Sequence, residues 1–105
     1  MNWFNNLAPS ELPSGTLLID VRSTNEYMSG HVPGAINLPL PHFEQELVHK
    51  APELDTPIVV YCATGARSEL ALGWLQRSGY TRVCNGGGAN ELAKQLHRPL
   101  SAPGP

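Results

Sequence analysis

Two short, unbroken runs of apolar residues stand out along the chain. They are Leu17-Leu18-Ile19-Asp20 and Ile58-Val59-Val60-Tyr61. Strands buried on both faces of a parallel sheet have this pattern, whereas half-exposed hairpin strands alternate apolar and polar residues. We therefore predict that both runs are central strands. Ala35-Ile36-Asn37-Leu38 and Arg82-Val83-Cys84 are weaker strand candidates, because a proline or a glycine pair closely follows each of them.

Four stretches outside these runs have helical character, and the third has the clearest pattern. Its residues Leu70, Trp74 and Leu75 recur at helical spacing. Ser68 is a residue type that caps helix starts, and Gly79 stands where a left-handed C-terminal stop is expected. The four predicted helices are Thr24 to Ser29, Pro41 to Lys50, Ser68 to Ser78 and Ala89 to Leu96.

Strands that alternate with helices of this length predict an α/β fold with right-handed crossovers and helices on both faces of the sheet. Such sheets bind ligands at the carboxyl ends of their strands. We expect residues 17–96 to form one domain and residues 1–16 to be an N-terminal segment that packs on it. Residues 97–105 contain three prolines and one glycine, so we expect a loose tail there.

Length, charge and hydropathy exclude several classes of function. A chain of 105 residues is a common size for one domain. Its net charge of −2, with 7 Lys and Arg, provides no basic surface for nucleic acid, and no run of like charge suggests a membrane surface. The longest apolar runs are far below the roughly 20 residues that span a bilayer. Residues 1–8 show no leader, so we expect a cytoplasmic protein, or a periplasmic one if a leader has been removed.

The two cysteines, Cys62 and Cys84, predict neither a disulfide framework nor a metal site, because no CxxC motif or Cys/His cluster accompanies them. Cys84 stands at the end of a candidate strand, which would place it at the same sheet end as Cys62. It lacks a loop of amides or a neighbouring cation that would lower its pKa. We therefore predict that Cys84 is structural, as buried free cysteines usually are, rather than a second reactive thiol.

Cys62 lies at the carboxyl end of the second apolar run, and a loop of small residues then leads into the third helix. Loop amides and the free N–H groups of a first helical turn converge on the centre of such a loop and stabilise a thiolate, the reactive form. Ala63, Gly65 and Ala66 suit this geometry, and Gly65 is the expected positive-φ position. Arg67 adds a permanent positive charge. We predict that Cys62 is a nucleophile rather than an inert thiol.

The segment from Tyr27 to Leu38, Tyr-Met-Ser-Gly-His-Val-Pro-Gly-Ala-Ile-Asn-Leu, resembles the signature of the rhodanese family. Asp20-Val21-Arg22 with Glu26 precedes it, as in many rhodaneses. The segment from Cys62 to Ser68, Cys-Ala-Thr-Gly-Ala-Arg-Ser, resembles the bacterial active-site loop. The resemblance covers about residues 17 to 92 and is strongest to the small thiosulfate sulfurtransferases of bacteria.

This resemblance implies five mainly parallel strands and a double-displacement reaction. The Cys62 thiolate attacks a small anionic donor such as thiosulfate, and the sulfur held on Cys62 passes to cyanide, a thiol or a protein acceptor. No metal or organic cofactor is implied. The implied substrate-binding residues are Ala63, Thr64, Gly65, Ala66, Arg67 and Ser68.

Several polar side chains allow two interpretations. Arg67 either attracts the anionic donor or points outward to a surface carboxylate. Asp20 and Arg22 end a central strand on the side of the site and could support the pocket, but we favour an ion pair or loop anchor involving Arg22 and Glu26. His31 precedes a Pro-Gly turn, which it is expected to fix by hydrogen bonds. The other histidines read as surface residues: His42, His49 and His97.

Two other functions stay open at this point. A thiol phosphatase or arsenate reductase of related fold also holds a thiolate in an amide cradle. However, four residues separate Cys62 from Arg67, where the related phosphatases have five, and no nearby aspartate is an evident general acid. The fold also serves as a non-catalytic binding module, but such modules usually lack the cysteine.

Overall fold

The computed structural model describes residues 12–102, in which strands and helices alternate along the chain. The elements are β1 (Leu17–Asp20), α1 (Thr24–Ser29), β2 (Ile36–Asn37), α2 (Leu40–Lys50), β3 (Ile58–Cys62), α3 (Ala66–Arg77), β4 (Val83–Gly88) and α4 (Ala89–Gln95). All strand pairs are parallel, and the order across the sheet is β2-β1-β3-β4. The two unbroken apolar runs are β1 and β3, so the prediction that they are the central strands is confirmed.

Within residues 12–102 the sheet has four strands, not the five implied by the family resemblance. Other extended pairing in this range is limited to one antiparallel bridge between His31 and Ser101, which is too short to make a strand. The α/β class, the parallel sheet and the flanking helices are as predicted. None of the helices in the described range is long and apolar enough to cross a membrane.

The sheet is covered on both faces because successive side chains of a strand point to opposite sides. Val60 and Cys62 belong to a core cluster that includes residues of α2 and α3. Val59 and Tyr61 belong to a second cluster that includes residues of α4. All five residues of β3 are buried, which explains its unbroken apolar sequence.

Helix α3 begins at Ala66, two residues before the predicted start at Ser68. Gly65 is its N-cap and has a left-handed φ of 98°, so the chain enters the helix directly after the loop. The prediction that Ser68 caps the helix is therefore wrong. Ser68 lies in the first turn of α3, with its side chain buried. The predicted left-handed stop at Gly79 is confirmed, with φ of 97°.

Strand β4 continues through Gly86, Gly87 and Gly88, beyond the strand candidate Arg82-Val83-Cys84 that the sequence indicated. Gly87 pairs with Tyr61 and Gly88 pairs with Cys62, after a register shift that bypasses Gly86. A Cβ atom at Gly88 would lie 2.5 Å from the carbonyl oxygen of Ala63. Glycine is required here because the strand packs directly against the loop that follows Cys62.

The C-terminal residues up to 102 are attached to the domain, in contrast to the predicted loose tail. His31 and Ser101 exchange backbone hydrogen bonds of 2.8 and 2.9 Å, and the Arg98 side chain donates to the Pro33 carbonyl at 3.1 Å. Proline excludes a regular helix but leaves backbone groups free to pair with the domain surface. Residues 103–105 lie outside the described residues.

The N-terminal segment is described from residue 12, so most of the predicted packing of residues 1–16 lies outside the described residues. Leu12 packs against the second core cluster.

His31 contacts the end of α1 rather than the Pro33-Gly34 turn that it was expected to fix. Its Nδ1 lies 3.0 Å from the Tyr27 carbonyl oxygen, and its ring stacks on the Tyr27 ring at 3.8 Å.

Candidate active site

Cys62 is the last residue of β3, and its sulfur is surrounded by hydrogen-bond donors of the following segment. The Gly65 amide donates to Cys62 Sγ at 3.0 Å, and the amide and hydroxyl of Ser68 both lie 3.5 Å from it. The Gly65 and Ser68 amides are free for this because neither can bond within the first turn of a helix. The predicted cradle of amides is thus formed around the sulfur.

The environment of Cys62 has opposing effects on its thiol. Burial raises the pKa, because it disfavours the charged thiolate. Hydrogen bonds from the hydroxyl and amide of Ser68 and from the amides of Thr64 and Gly65 outweigh burial and lower the pKa to about 7. A substantial fraction of Cys62 is therefore thiolate at neutral pH.

The predicted loop residues differ in how far they are exposed around this buried sulfur. Ser68 is buried beneath the loop, whereas Gly65 and Arg67 are half-buried. The exposed residues of the segment are Ala63, Thr64 and Ala66. Cys62 itself has no exposed surface.

Asn85 of β4 braces the loop and was not predicted to belong to the site. Its Nδ2 donates to the Gly65 carbonyl at 3.0 Å, and its Oδ1 accepts a hydrogen bond from the Gly87 amide at 2.9 Å. The single hydrogen of the Ser68 hydroxyl is within reach of both Asn85 Oδ1, at 2.7 Å, and Cys62 Sγ, at 3.5 Å. These bonds hold the two residues that contact Cys62 Sγ. One signal was available in the sequence, since Asn85 is a polar residue that directly follows buried strand residues.

Arg67 forms a two-point ion pair with Glu26 at the rim of the site. Its Nη1 lies 2.7 Å from Glu26 Oε1 and its Nη2 lies 2.9 Å from Glu26 Oε2. The Arg67 guanidinium, together with donors of Ser23, holds the pKa of Glu26 at about 2. Of the two interpretations of Arg67, the structure shows the one in which it pairs with a surface carboxylate.

Asp20 and Arg22 form a buried ion pair with each other. Arg22 Nη2 lies 2.6 Å from Asp20 Oδ2 and also donates to the Gly30 carbonyl at 2.6 Å. The predicted loop anchor is therefore present, but the partner of Arg22 is Asp20 and not Glu26. Glu26 is engaged by Arg67 and by the capping box with Ser23 at the start of α1.

A cavity of about 500 Å³ opens beside the loop. Val21 forms part of its wall and lies next to Cys62, because the register pairs the preceding Asp20 with Tyr61. Arg67 is the residue of the Cys62–Ser68 segment that lines the cavity. The lining residues are Val21, Ser23, Thr24, Pro39, Leu40, Pro41, His42 and Arg67.

Cys84 is not at the sheet end that carries Cys62, contrary to what its position in the predicted strand suggested. Strand β4 runs on to Gly88, and Cys84 pairs with Val59 in mid-strand. Its side chain lies in the second core cluster, on the opposite face of the sheet from Cys62. Burial raises the pKa of the Cys84 thiol to about 12.

Comparison with known proteins agrees with this arrangement. Residues 3–95 match the family described as the rhodanese-like domain. The chain belongs to this family.

The relatives of this chain within the family have names that refer to different activities. Thiosulfate sulfurtransferase PspE of Escherichia coli K12 is 39% identical over 75 residues, which are 71% of this chain and 72% of PspE. A solved structure described as a rhodanese with anions from E. coli has a TM-score of 0.76 at 34% identity and covers 84% of this chain and 99% of its own. The tRNA uridine(34) hydroxylase of Streptococcus thermophilus CNRZ 1066 is 38% identical over 86 residues, which are 73% of this chain but only 26% of the hydroxylase.

Proposed function

We propose that this rhodanese is a thiosulfate-type sulfurtransferase that carries sulfur as a persulfide on Cys62. The observation that carries the proposal is the set of donors aimed at Cys62 Sγ from Gly65 and Ser68. The same donors that stabilise a thiolate also suit the negative charge of a persulfide. The backbone from Ala63 to Ser68 is the substrate-binding loop in this proposal.

The reaction has two displacement steps. In the first, the Cys62 thiolate attacks the outer sulfur of thiosulfate, a bond forms between Sγ and that sulfur, and the S–S bond of thiosulfate breaks. Sulfite leaves with the electron pair of the broken bond. In the second step, cyanide or a thiolate attacks the outer persulfide sulfur, and Cys62 leaves as the thiolate. No cofactor is required for this chemistry.

Arg67 is the cation available to an anionic donor at the mouth of the loop. Both of its terminal nitrogens are paired with Glu26, and this pair is about 40% exposed on the Arg67 side. Exposed ion pairs contribute little stability, so Arg67 can exchange Glu26 for a donor at small cost. We expect Arg67→Ala to lower kcat/KM for thiosulfate about 10- to 100-fold, and unchanged kinetics would assign Arg67 to the surface alone.

The alternatives fit the site less well. A non-catalytic binding module has no need of a thiol whose pKa is lowered to about 7. For a phosphatase or arsenate reductase, the loop from Cys62 to Arg67 remains one residue shorter than in the related phosphatases.

The test is the intact mass of the protein after incubation with thiosulfate. We expect one added sulfur atom, which peptide mapping under non-reducing conditions places on Cys62 and which cyanide removes. Cys84→Ala is the matched control and should acquire the same sulfur. An unchanged mass in a folded protein would contradict the proposal.

A further inference from the structure

Asn85, a half-buried residue of β4, uses every hydrogen-bonding position of its side-chain amide. Its Oδ1 lies 2.9 Å from the Gly87 amide nitrogen and 2.7 Å from Ser68 Oγ. Its Nδ2 lies 3.0 Å from the Gly65 carbonyl oxygen and 3.0 Å from Glu69 Oε1. A carboxamide has two N–H donors and two acceptor lone pairs. The side chain of Asn85 therefore joins the loop and α3 to its own strand.

Backbone groups decide which end of this amide faces Ser68. The Gly87 N–H can only donate, so it fixes Oδ1 on its side, and the Gly65 carbonyl can only accept, so it fixes Nδ2 on the other side. Gly87 follows the register shift of β4 and has a left-handed φ of 87°, which glycine adopts without strain. Oδ1 is thus an acceptor next to Ser68, and the Ser68 hydroxyl must be the donor in that contact.

The Ser68 hydroxyl has one hydrogen and, in the described part of the chain, three acceptors within reach. Besides Asn85 Oδ1, they are the Gly65 carbonyl oxygen at 3.1 Å and Cys62 Sγ at 3.5 Å. The Gly65 oxygen already accepts from Asn85 Nδ2 and from the Glu69 amide at 3.1 Å, which occupies both of its lone pairs. The hydrogen is therefore shared between Asn85 and Cys62.

Charge on the sulfur decides which of these two acceptors the hydroxyl uses. A neutral thiol is a weak acceptor, and the contact with Asn85 is much the shorter of the two. A thiolate is a charged acceptor, and hydrogen bonds to charged groups are about twice as strong as neutral ones. The hydroxyl then turns about its Cβ–Oγ bond toward Cys62 Sγ and keeps its proton. Each ionisation of Cys62 therefore breaks the hydrogen bond between Ser68 and Asn85.

We propose that Asn85 is a positioning residue that competes with Cys62 Sγ for the Ser68 hydroxyl and so limits how strongly the loop stabilises negative charge on the sulfur. This inference rests on the proposed function, in which Cys62 is first a nucleophile and then a leaving group. A more strongly stabilised thiolate attacks more slowly but leaves more readily. Asn85 therefore sets the balance between the loading of Cys62 with sulfur and the release of that sulfur.

The charged groups on the elements around the loop stay the same when an uncharged residue replaces Asn85. A change in the ionisation of Cys62 in such a variant therefore comes from hydrogen bonds and not from altered charge. These groups are the ion pair of Arg67 and Glu26 at the rim, the ion pair of Asp20 and Arg22 after β1, and the exposed Glu69 of α3.

Asn85→Leu nearly preserves the shape of the side chain but provides no acceptor for Ser68. The pH dependence of iodoacetamide labelling of Cys62, read by peptide mass spectrometry, measures the midpoint of its ionisation. We expect this midpoint to fall by about 0.5–1 pH unit, which corresponds to the release of one neutral hydrogen bond. Loss of a purely structural contact would instead loosen the donors around the sulfur and raise the midpoint.

Ser68→Ala provides the background in which the competition is absent. There, Asn85→Leu should move the midpoint by less than about 0.2 pH unit, because Asn85 acts through the Ser68 hydroxyl. Glu69→Ala is the control for the other end of the amide, since it removes only the exposed partner of Asn85 Nδ2. It should also leave the midpoint of the wild type within about 0.2 pH unit.

Asn85→Asp is the second variant if Asn85→Leu does not fold, because it keeps an acceptor for Ser68 in the same place. Its carboxylate holds the hydroxyl more strongly and repels the thiolate, so we expect the midpoint to rise by more than about 1 pH unit. In the Ser68→Ala background only the repulsion remains, and the rise should be about half as large. An equal rise in both backgrounds would make charge the sole cause and overturn the inference.

The two half-reactions provide a second readout, measured at a pH about two units above the midpoints, where Cys62 is fully ionised. For Asn85→Leu we expect loading by thiosulfate to slow about two- to threefold and transfer of the persulfide sulfur to cyanide to accelerate by a similar factor. Single-turnover release of sulfite and of thiocyanate measures the two rates. A slower rate in both half-reactions would indicate structural damage and overturn the inference.

An unchanged or raised midpoint in folded Asn85→Leu would also overturn the inference, as would an equal fall in the Ser68→Ala background. Labelling with iodoacetamide requires no sulfur transfer, so these outcomes are independent of the proposed function. Failure of the wild type to acquire sulfur from thiosulfate would instead contradict the proposed function, and the labelling result would stand.

Discussion

Cys62 and Cys84 lie in two regions of one sheet whose surroundings shift the pKa of a cysteine thiol in opposite directions. The cysteines lie on neighbouring strands, and both are buried. The pKa of Cys84 is raised to about 12 by burial, and that of Cys62 is lowered to about 7 in spite of burial. Burial alone therefore predicts nothing about reactivity in this protein.

The difference comes from where each strand ends. Cys84 lies in mid-strand and pairs with Val59, so the amides around it belong to the sheet ladder. Cys62 is the last residue of β3, and the next residues turn into α3 with amides that have no backbone partner. Those free amides and the Ser68 hydroxyl lower the pKa of the Cys62 thiol, and among the described residues Cys84 has no such donors around it.

The largest expected effect is a difference in sulfurtransferase activity between Cys62→Ala and Cys84→Ala. Cys62→Ala should lower thiosulfate:cyanide sulfurtransferase activity at least about a thousandfold, because the nucleophile is lost. Cys84→Ala should keep activity within about twofold of the wild type. Steady-state thiocyanate formation measures both. Residual activity of more than a few per cent in Cys62→Ala, with the fold intact by circular dichroism, would place the nucleophile elsewhere.

Gly88→Ala should disturb the loop around Cys62 from the neighbouring strand. The new Cβ would meet the Ala63 carbonyl oxygen at 2.5 Å, so we expect the free energy of unfolding to fall by about 2 kcal/mol and activity to fall with it. Urea denaturation measures the change in stability.

Gly73→Ala is the matched control for Gly88→Ala. Gly73 lies in the interior of α3, and its Cβ would meet only the end of the Arg77 side chain, which can move. We expect the free energy of unfolding to rise by about 0.5–1 kcal/mol. A stable and active Gly88→Ala protein would show that the loop tolerates a shift of β4.

Ser68→Ala should raise the pKa of the Cys62 thiol toward that of an ordinary cysteine. The reactive form is the thiolate, so the alkylation rate of wild-type Cys62 should rise with pH through a midpoint near 7 and then level off. Loss of the Ser68 hydroxyl should move this midpoint upward by about one pH unit, which is about 1.4 kcal/mol.

The pH dependence of iodoacetamide labelling, read by peptide mass spectrometry, measures this midpoint for each cysteine. Ser78→Ala at the other end of α3 is the control and should leave it unchanged. An unmoved midpoint in Ser68→Ala would assign the lowered pKa to the amides alone. Cys84 should stay unlabelled while the protein is folded.

The smallest expected effect is that of Cys84→Ser. A hydroxyl in the second core cluster should lower the free energy of unfolding by about 1 kcal/mol and leave sulfur transfer intact. Guanidinium denaturation and the thiosulfate:cyanide assay measure the two properties. A persulfide on Cys84, or a disulfide between Cys62 and Cys84 during turnover, would contradict its structural role.

Much of the scaffold was predictable from sequence because it depends on local rules. The unbroken apolar runs of β1 and β3 reflect burial on both faces of a sheet, a property that each strand carries in its own residues. The position of Cys62 between such a run and a short loop of small residues likewise indicated a thiol near free amides. The left-handed conformation of Gly65 was predictable for the same local reason.

The sequence by itself therefore determined the class of fold, the central strands and the place of the thiol that we propose as the nucleophile. Only the tertiary structure decided which residues from distant parts of the chain contact the loop around that thiol. Glu26 reaches Arg67 because α1 and the loop follow the carboxyl ends of the neighbouring parallel strands β1 and β3. Asn85 reaches Ser68 because the glycines of β4 let it pack closely on the loop. Contacts between residues distant in sequence depend on how whole elements pack, which no local pattern encodes.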